Sequence, residues 1–184
     1  GVMGLFDGAH VSADRQSGST ADTAAALGLP VILVVDAGAQ AQSAAAVVHG
    51  FATFREDVTV AGVIFNRVGS DRHADMLKAA AAPLGVPVLG CVPRSKSLAV
   101  PDRHLGLVQA SELAALEAFL DTAADLVSSH IDMSALRDIL TGLGARPAGA
   151  PPRPIPPLGQ HIAVASDDAF RFSYRHVIDG WRSA

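Results

Sequence analysis

An open α/β sheet of parallel strands is the fold this sequence predicts, and three observations predict it. From about Thr20 onward, short β-branched runs alternate with Ala- and Leu-rich stretches of helical spacing. The runs are continuous rather than alternating in polarity, which suits strands covered on both faces. Each run ends on a polar residue or next to an arginine, and sheets of this kind place ligands at the carboxyl ends of their strands. The strand-helix-strand units are also long enough for right-handed crossovers.

The elements follow in order. Residues 1–8 (GVMGLFDG) read as the end of a buried strand running into a loop, with its sheet neighbours expected in a segment that precedes it. Ser19 or Thr20 caps a short Ala-rich helix through Leu27, which Gly28 stops. Residues 30–36 (PVILVVD) form the first full strand. Ala44, Val47, Val48, Phe51 and Phe54 make one apolar face of the next helix. A second buried strand runs from Val60 to Phe65 and ends at Asn66. Ser70 or Asp71 then caps a helix through Ala82, and residues 87–92 are the third strand. Leu113, Leu116, Leu120, Ala123 and Val127 define one further helix, and Met133, Leu136, Leu140 and Leu143 another.

Residues 146–160 (RPAGAPPRPIPPLGQ) break the pattern. Six of these fifteen residues are proline, so the segment reads as a stiff extended linker. A short strand at 161–165 and a helix-like segment to Trp181 follow it. The expected organisation is one domain over 1–145, a linker over 146–160 and the start of a second domain over 161–184.

Composition narrows the function. A hydrophobic content of 49% supplies a core, and with only 5% aromatic residues that core is mostly aliphatic. The net charge of -4, and lysine at Lys78 and Lys96 alone, argue against a nucleic-acid surface. A single cysteine, Cys91, excludes an internal disulfide and a cysteine-rich zinc site. It lies in an apolar strand with no neighbouring cation and reads as a packed thiol. No run approaches the ~20 apolar residues of a membrane span, so a soluble cytoplasmic protein without membrane partners is expected.

The strand-end rule selects Asp7, Asp36, Asn66 and Pro93-Arg94. Asp7 is either a turn residue before Gly8 or a hard oxygen ligand for Mg2+. Asn66 and Arg67 are either part of a turn, with Gly69 at positive φ and Ser70 capping, or a purine-edge reader beside a phosphate-binding cation. Pro93-Arg94 is either the rim of the same site or an exposed loop. The charged loop at 101–107 contains His104 but no metal-ligand spacing. No Gly-x-x-x-x-Gly-Lys-[Ser/Thr] phosphate loop occurs in these 184 residues.

The wording of these motifs carries further. GVMGLFDG at 1–8, GSTAD at 18–22, VVDA at 34–37, Gly50-Phe51, AGVIFNRVGS at 61–70 and RHLGL at 103–107 occur in an order that resembles the cobyrinate/hydrogenobyrinate a,c-diamide synthase family. DDAFRFSY at 167–174 resembles the opening of that family's class I glutamine amidotransferase domain.

The resemblance implies part of a P-loop parallel-sheet domain similar to dethiobiotin synthetase, followed by the start of the amidotransferase domain. It implies an internal piece, with the phosphate loop expected before Gly1 and the glutaminase cysteine and histidine after Ala184. ATP and Mg2+ are the implied cofactors. A corrinoid (cobyrinic or hydrogenobyrinic acid) and glutamine are the implied partners, with a homodimer as an option. On this resemblance Asp7 is the Mg2+ or phosphoryl-site acid. Asn66 reads the adenine, with Arg67, Pro93 and Arg94 around it; Ser19 and Thr20 meet a substrate carboxylate or phosphate through free backbone N–H groups at a helix amino end, and His104 meets the substrate. Cobyric acid synthase and dethiobiotin synthetase are the neighbouring ligases, and a non-catalytic nucleotide-binding remnant is the alternative outside enzymes.

Overall fold

A computed structural model describes residues 4–9, 17–99, 110, 113, 115–142, 155–167, 170 and 173–184. The chain divides into two compact units, Gly1–Gly144 and Ala145–Ala184.

In the first unit, α1 (Thr20–Leu27), β1 (Val31–Asp36), α2 (Ser43–Thr53), β2 (Val60–Val68), α3 (Asp71–Ala81) and β3 (Val88–Pro93) follow one another, with a 3-10 turn at Ala82–Leu84. The three strands form one parallel sheet in the order β1-β2-β3. Local chemistry accounts for the boundaries. Ser19 caps α1 by accepting from the Asp22 N–H, and Gly28, at φ 59°, closes it in the left-handed conformation. Ser70 caps α3 by accepting from the His73 N–H.

The core lies between the sheet and helices α2 and α3. Leu33, Val35, Val63 and Phe65 from the strands meet Ala44 and Val48 of α2 and Leu77 and Ala81 of α3. Phe65, Leu77, Val48 and Val63 are among the most completely buried side chains, each contributing about 1.5–3 kcal/mol by leaving water. A smaller cluster joins Leu5, Ala21 and Val58, with Phe6 and Phe51 packed beside it. Phe6 stacks on Phe51 at 5.5 Å between ring centroids. Phe54, expected on the apolar face of α2, falls just past that helix and leans on Phe6 instead.

Several expectations need correction. The sheet is not covered on both faces throughout, because Val34 is 61% exposed. The second strand does not end at Asn66 but continues to Val68. Phe65 pairs with Cys91 and Val68 with Pro93, so Asn66 and Arg67 together oppose the single residue Val92. That extra residue is a β-bulge, and bulges bend a strand and re-aim its side chains. Gly69 is not the left-handed residue of this turn; Arg67 is, at φ 61°. Residues 4–9 contain a turn at Leu5-Phe6 rather than a strand end, while residues 1–3 lie outside the described residues.

Helices α4 (Leu116–His130) and α5 (Met133–Thr141) pack on β3. Leu113, expected within α4, precedes it, and Leu143 lies outside the described residues. The turn between these helices approaches the sheet closely: the Asp132 N–H donates to the Leu89 carbonyl at 2.7 Å, and Gly90 bridges to Ile131. A Cβ at Gly90 would collide with the His130 carbonyl, so glycine is the residue that fits. Cys91 is half-buried, and burial raises its thiol pKa.

In the second unit, helix α6 (Arg175–Ser183) carries Val177, Ile178 and Trp181 on its half-buried side. The strand expected at 161–165 is absent. A strand is held by a neighbouring backbone, and among the described residues of this unit none forms a strand beside it. Residues 146–154 of the proline-rich segment lie outside the described residues, and 155–160 are exposed without helix or strand. No helix among the described residues is long and apolar enough to cross a membrane.

Candidate functional site

The carboxyl ends of β1, β2 and β3 bring together residues far apart in sequence. Asp36 pairs in register with Asn66, and the Ala37 N–H donates to the Asn66 carbonyl at 2.9 Å. The Arg94 N–H donates to the Val68 carbonyl at 3.1 Å. These bonds align the three strand ends, and a hollow of about 300 Å³ opens beside them. Asp36, Gly38, Ala39, Gln40, Arg67 and Arg94 line it.

Asp36 is the hub. Its Oδ1 accepts from the Gly38 N–H at 2.9 Å, and its Oδ2 accepts from Arg67 Nη1 at 2.8 Å. Gln40 Nε2 donates to the Asp36 backbone carbonyl at 3.2 Å. The Gly38 N–H contributes most to holding the Asp36 carboxyl below the usual carboxylate range; burial opposes it, and the charge and hydrogen bond of Arg67 and then the charge of Arg94 add to the lowering. The room for this arrangement exists because residue 38 is glycine. A Cβ there would stand 3.0 Å from Asp36 Oδ1 and 3.1 Å from Arg94 Nη2.

Arg67 reaches Asp36 through its unusual backbone. A left-handed conformation costs a non-glycine residue about 1–2 kcal/mol. Its side chain is 51% exposed, and exposed ion pairs add little to stability. The pair therefore does not offset the strain, and strain kept without a stability return gathers at functional sites.

Asn66 pairs in register with Asp36 and precedes Arg67, but it is not among the residues that line the hollow. Its Oδ1 accepts from the Arg67 N–H at 2.9 Å, which leaves one lone pair, and its Nδ2 has no partner among the described residues. Pro93 pairs with Val68 at the end of β3. His73 ties the neighbouring loops: its Nδ1 accepts from the Gly69 N–H at 3.1 Å, so Nε2 carries the proton and donates to the Gln40 carbonyl at 2.6 Å.

The amino end of α1 is a second polar centre. Ser19 is buried, and its hydroxyl is committed to the cap. Asp22 returns a bond to the Ser19 N–H at 3.3 Å, completing a capping box. Its carboxylate also accepts from Ser17 Oγ at 2.9 Å and from Arg55 at 2.7 Å. Arg55, and after it Ser17, hold the Asp22 carboxyl well below the ordinary range. The same guanidinium grips Asp57 through two bonds of 2.9 and 2.6 Å.

Free backbone N–H groups were expected at this helix end. Those of Ser19, Ala21, Asp22 and Thr23 are already paired, and Thr20, which is exposed, supplies the one that remains. Asp7 sits in an exposed turn, its Oδ2 accepting from the Gly4 N–H at 3.0 Å. His104 lies outside the described residues. Among the described residues no group of three or more His, Cys, Asp or Glu converges.

The sequence reading selected Asp36, Asn66, Arg67 and Arg94 but not Gln40, His73 or the Asp22–Arg55 pair. The Ser19-x-x-Asp22 spacing was a signal for the capping box. The other contacts cross 33 residues of chain, and no local pattern announces them.

Residues 6–102, just over half of the chain, match the family model described as AAA domain, and the chain belongs to that family. Its relatives are more particular. The hydrogenobyrinate a,c-diamide synthase of Brucella ovis is 56% identical over 182 residues, covering 99% of this chain and 41% of that protein. Those of Rhizobium meliloti and Agrobacterium fabrum are 53% and 44% identical over 183 residues, covering 98% and 100% of this chain. The resemblance read from the motifs thus extends along almost the whole sequence. The chain spans about two-fifths of the length of these curated relatives, 41% in each case. No solved structure matches it.

Proposed function

We propose that this chain is part of an ATP- and glutamine-dependent amidoligase that amidates the a and c carboxylates of hydrogenobyrinic or cobyrinic acid in cobalamin biosynthesis. The observation that carries the reading is the convergence of Asp36, Arg67 and Arg94 on one hollow at the carboxyl ends of β1, β2 and β3, with Asn66 in register beside Asp36. The names of the relatives supply the substrate.

The chemistry needs two steps. A substrate carboxylate oxygen attacks the terminal phosphorus of ATP, giving an acyl phosphate and ADP. Ammonia released from glutamine then forms the C–N bond as phosphate leaves with the C–O bonding pair.

Here Asn66 faces the base, with Nδ2 donating and the second Oδ1 lone pair accepting, and Pro93 borders it. Arg67 and Arg94 supply positive charge to the anionic part of the nucleotide. The open Thr20 N–H, at a helix amino end where Ser19 is the cap, receives a substrate carboxylate or phosphate oxygen. His104 belongs to the same substrate surface. Asp7 fits Mg2+, since Oδ1 remains available and that ion takes few protein ligands and keeps waters and phosphates. When bound, Mg2+ would neutralise phosphate charge.

Residues 146–160 are then a linker and 161–184 the start of the glutamine amidotransferase domain. The setting is cytoplasmic, the assembly is open to a homodimer, and this chain by itself catalyses no amidation. Calorimetry of the intact protein with ATP and Mg2+, wild type against Asn66→Ala, tests the site. Binding weakened by the substitution supports it, and equal binding removes Asn66 from the site.

A further inference from the structure

We infer that Asp36 is a positioning residue for the nucleotide, holding Arg67 beside Arg94 so that the two guanidinium groups meet one anion. The inference rests on the nucleotide reading of the strand ends and goes beyond it by assigning a role to an acid in a site for a polyanion.

A carboxylate beside a phosphate subsite should repel the ligand, so its presence needs a reason. Both Asp36 oxygens are committed. Oδ1 is fixed by the Gly38 N–H at 2.9 Å, and Gln40 Nε2 braces the same residue through its backbone carbonyl at 3.2 Å. His73 in turn holds the Gln40 carbonyl at 2.6 Å. Oδ2 is thereby set at one place, and Arg67 meets it at 2.8 Å.

The β2 bulge and the left-handed backbone at Arg67 turn that side chain toward β1. Gly38 leaves the space in which Arg67 and Arg94 approach each other, since a Cβ there would lie 3.1 Å from Arg94 Nη2 and 3.6 Å from Arg67 Nε. Two like charges held this close with one carboxylate leave a surplus positive charge facing the hollow.

The sign of one substitution separates this role from bulk electrostatics. Asp36→Asn keeps the Oδ1 acceptor for Gly38 but presents an amide N–H to Arg67. Were Asp36 only a nearby negative charge, ATP would bind more tightly to the variant. As a positioning residue, its loss weakens ATP binding about tenfold, a scale typical of coupling between groups in contact.

The experiment is calorimetry of the intact protein with ATP and Mg2+ for wild type, Asp36→Asn, Arg67→Ala and the double variant, with kcat and KM for ATP measured beside it. Expected are weaker binding in Asp36→Asn, a raised KM with kcat nearly unchanged, and no further loss when Asp36→Asn is added to Arg67→Ala. Tighter or unchanged binding in Asp36→Asn overturns the inference, as does additive loss in the double variant. Asp36→Glu, which restores the carboxylate, separates a folding defect from a positioning one by recovering part of the affinity. If wild type itself binds no ATP, the nucleotide reading fails, and the inference with it. If wild type binds and Asn66→Ala weakens it while Asp36→Asn does not, only the inference fails.

Discussion

Replacing Arg67 by glycine and by alanine gives opposite answers depending on whether its backbone is strained. At an ordinary strand position glycine is the worse residue by roughly 0.5–1 kcal/mol, because its unfolded chain has more freedom to lose. At φ 61° the balance reverses. Alanine keeps a left-handed penalty of about 1–2 kcal/mol, which glycine does not carry. Both variants lose the Asp36 ion pair equally, so that contribution cancels in the comparison. The net expectation is that Arg67→Gly is more stable than Arg67→Ala by about 0.5–1 kcal/mol, given glycine's entropy cost. In a domain of this size each kcal/mol moves the midpoint of thermal unfolding by roughly 2–4 °C. Circular dichroism melts of the two variants side by side measure it. An alanine variant as stable as the glycine variant, or more so, would refute the strained bulge.

Three further outcomes follow from the packing and the charges. Gly90→Ala should destabilise by about 1–3 kcal/mol, because its methyl meets the His130 backbone, which cannot move as a side-chain tip can. Gly50→Ala in α2, with nothing within 4 Å, should instead stabilise by roughly 0.5–1 kcal/mol, and the paired urea midpoints read both. The depressed Asp22 carboxyl contributes stability that is present above the unfolded value of about 4 and is lost as pH falls from there toward its lower folded value. Asp22→Asn should therefore flatten the stability profile below about pH 4, and an unchanged slope in urea midpoints would count against the Arg55 pairing.

Much of the sheet was legible because its signals are local. Val31 to Asp36 forms a strand since consecutive β-branched residues favour it, and Ser19, Gly28 and Ser70 punctuate helices by means that act within a few residues. The strand-end rule points to Asp36, Asn66 and Arg94, and also to Asp7, which lies instead in an exposed turn. What escaped depends on tertiary geometry. Nothing in Asn66-Arg67 requires a left-handed arginine, and Gly69 two residues on was the natural choice for that conformation. His73 looked like a helix residue, and only the approach of the two loops makes its ring a bridge to Gln40. The strand expected at 161–165 had the right residues but no neighbouring strand among the described residues. Its β-branched side chains are therefore left exposed, Val164 at 46%.

The most direct measurement of the whole account is product formation by the intact protein. Hydrogenobyrinic acid, ATP, Mg2+ and glutamine are incubated with it, and the corrinoid products are resolved by chromatography and mass spectrometry. A mono- and then a diamide that require both ATP and glutamine are expected, with a much slower reaction in Asn66→Ala and none from residues 1–184 alone. A diamide formed without ATP, or formed equally well by the Asn66 variant, would contradict that expectation.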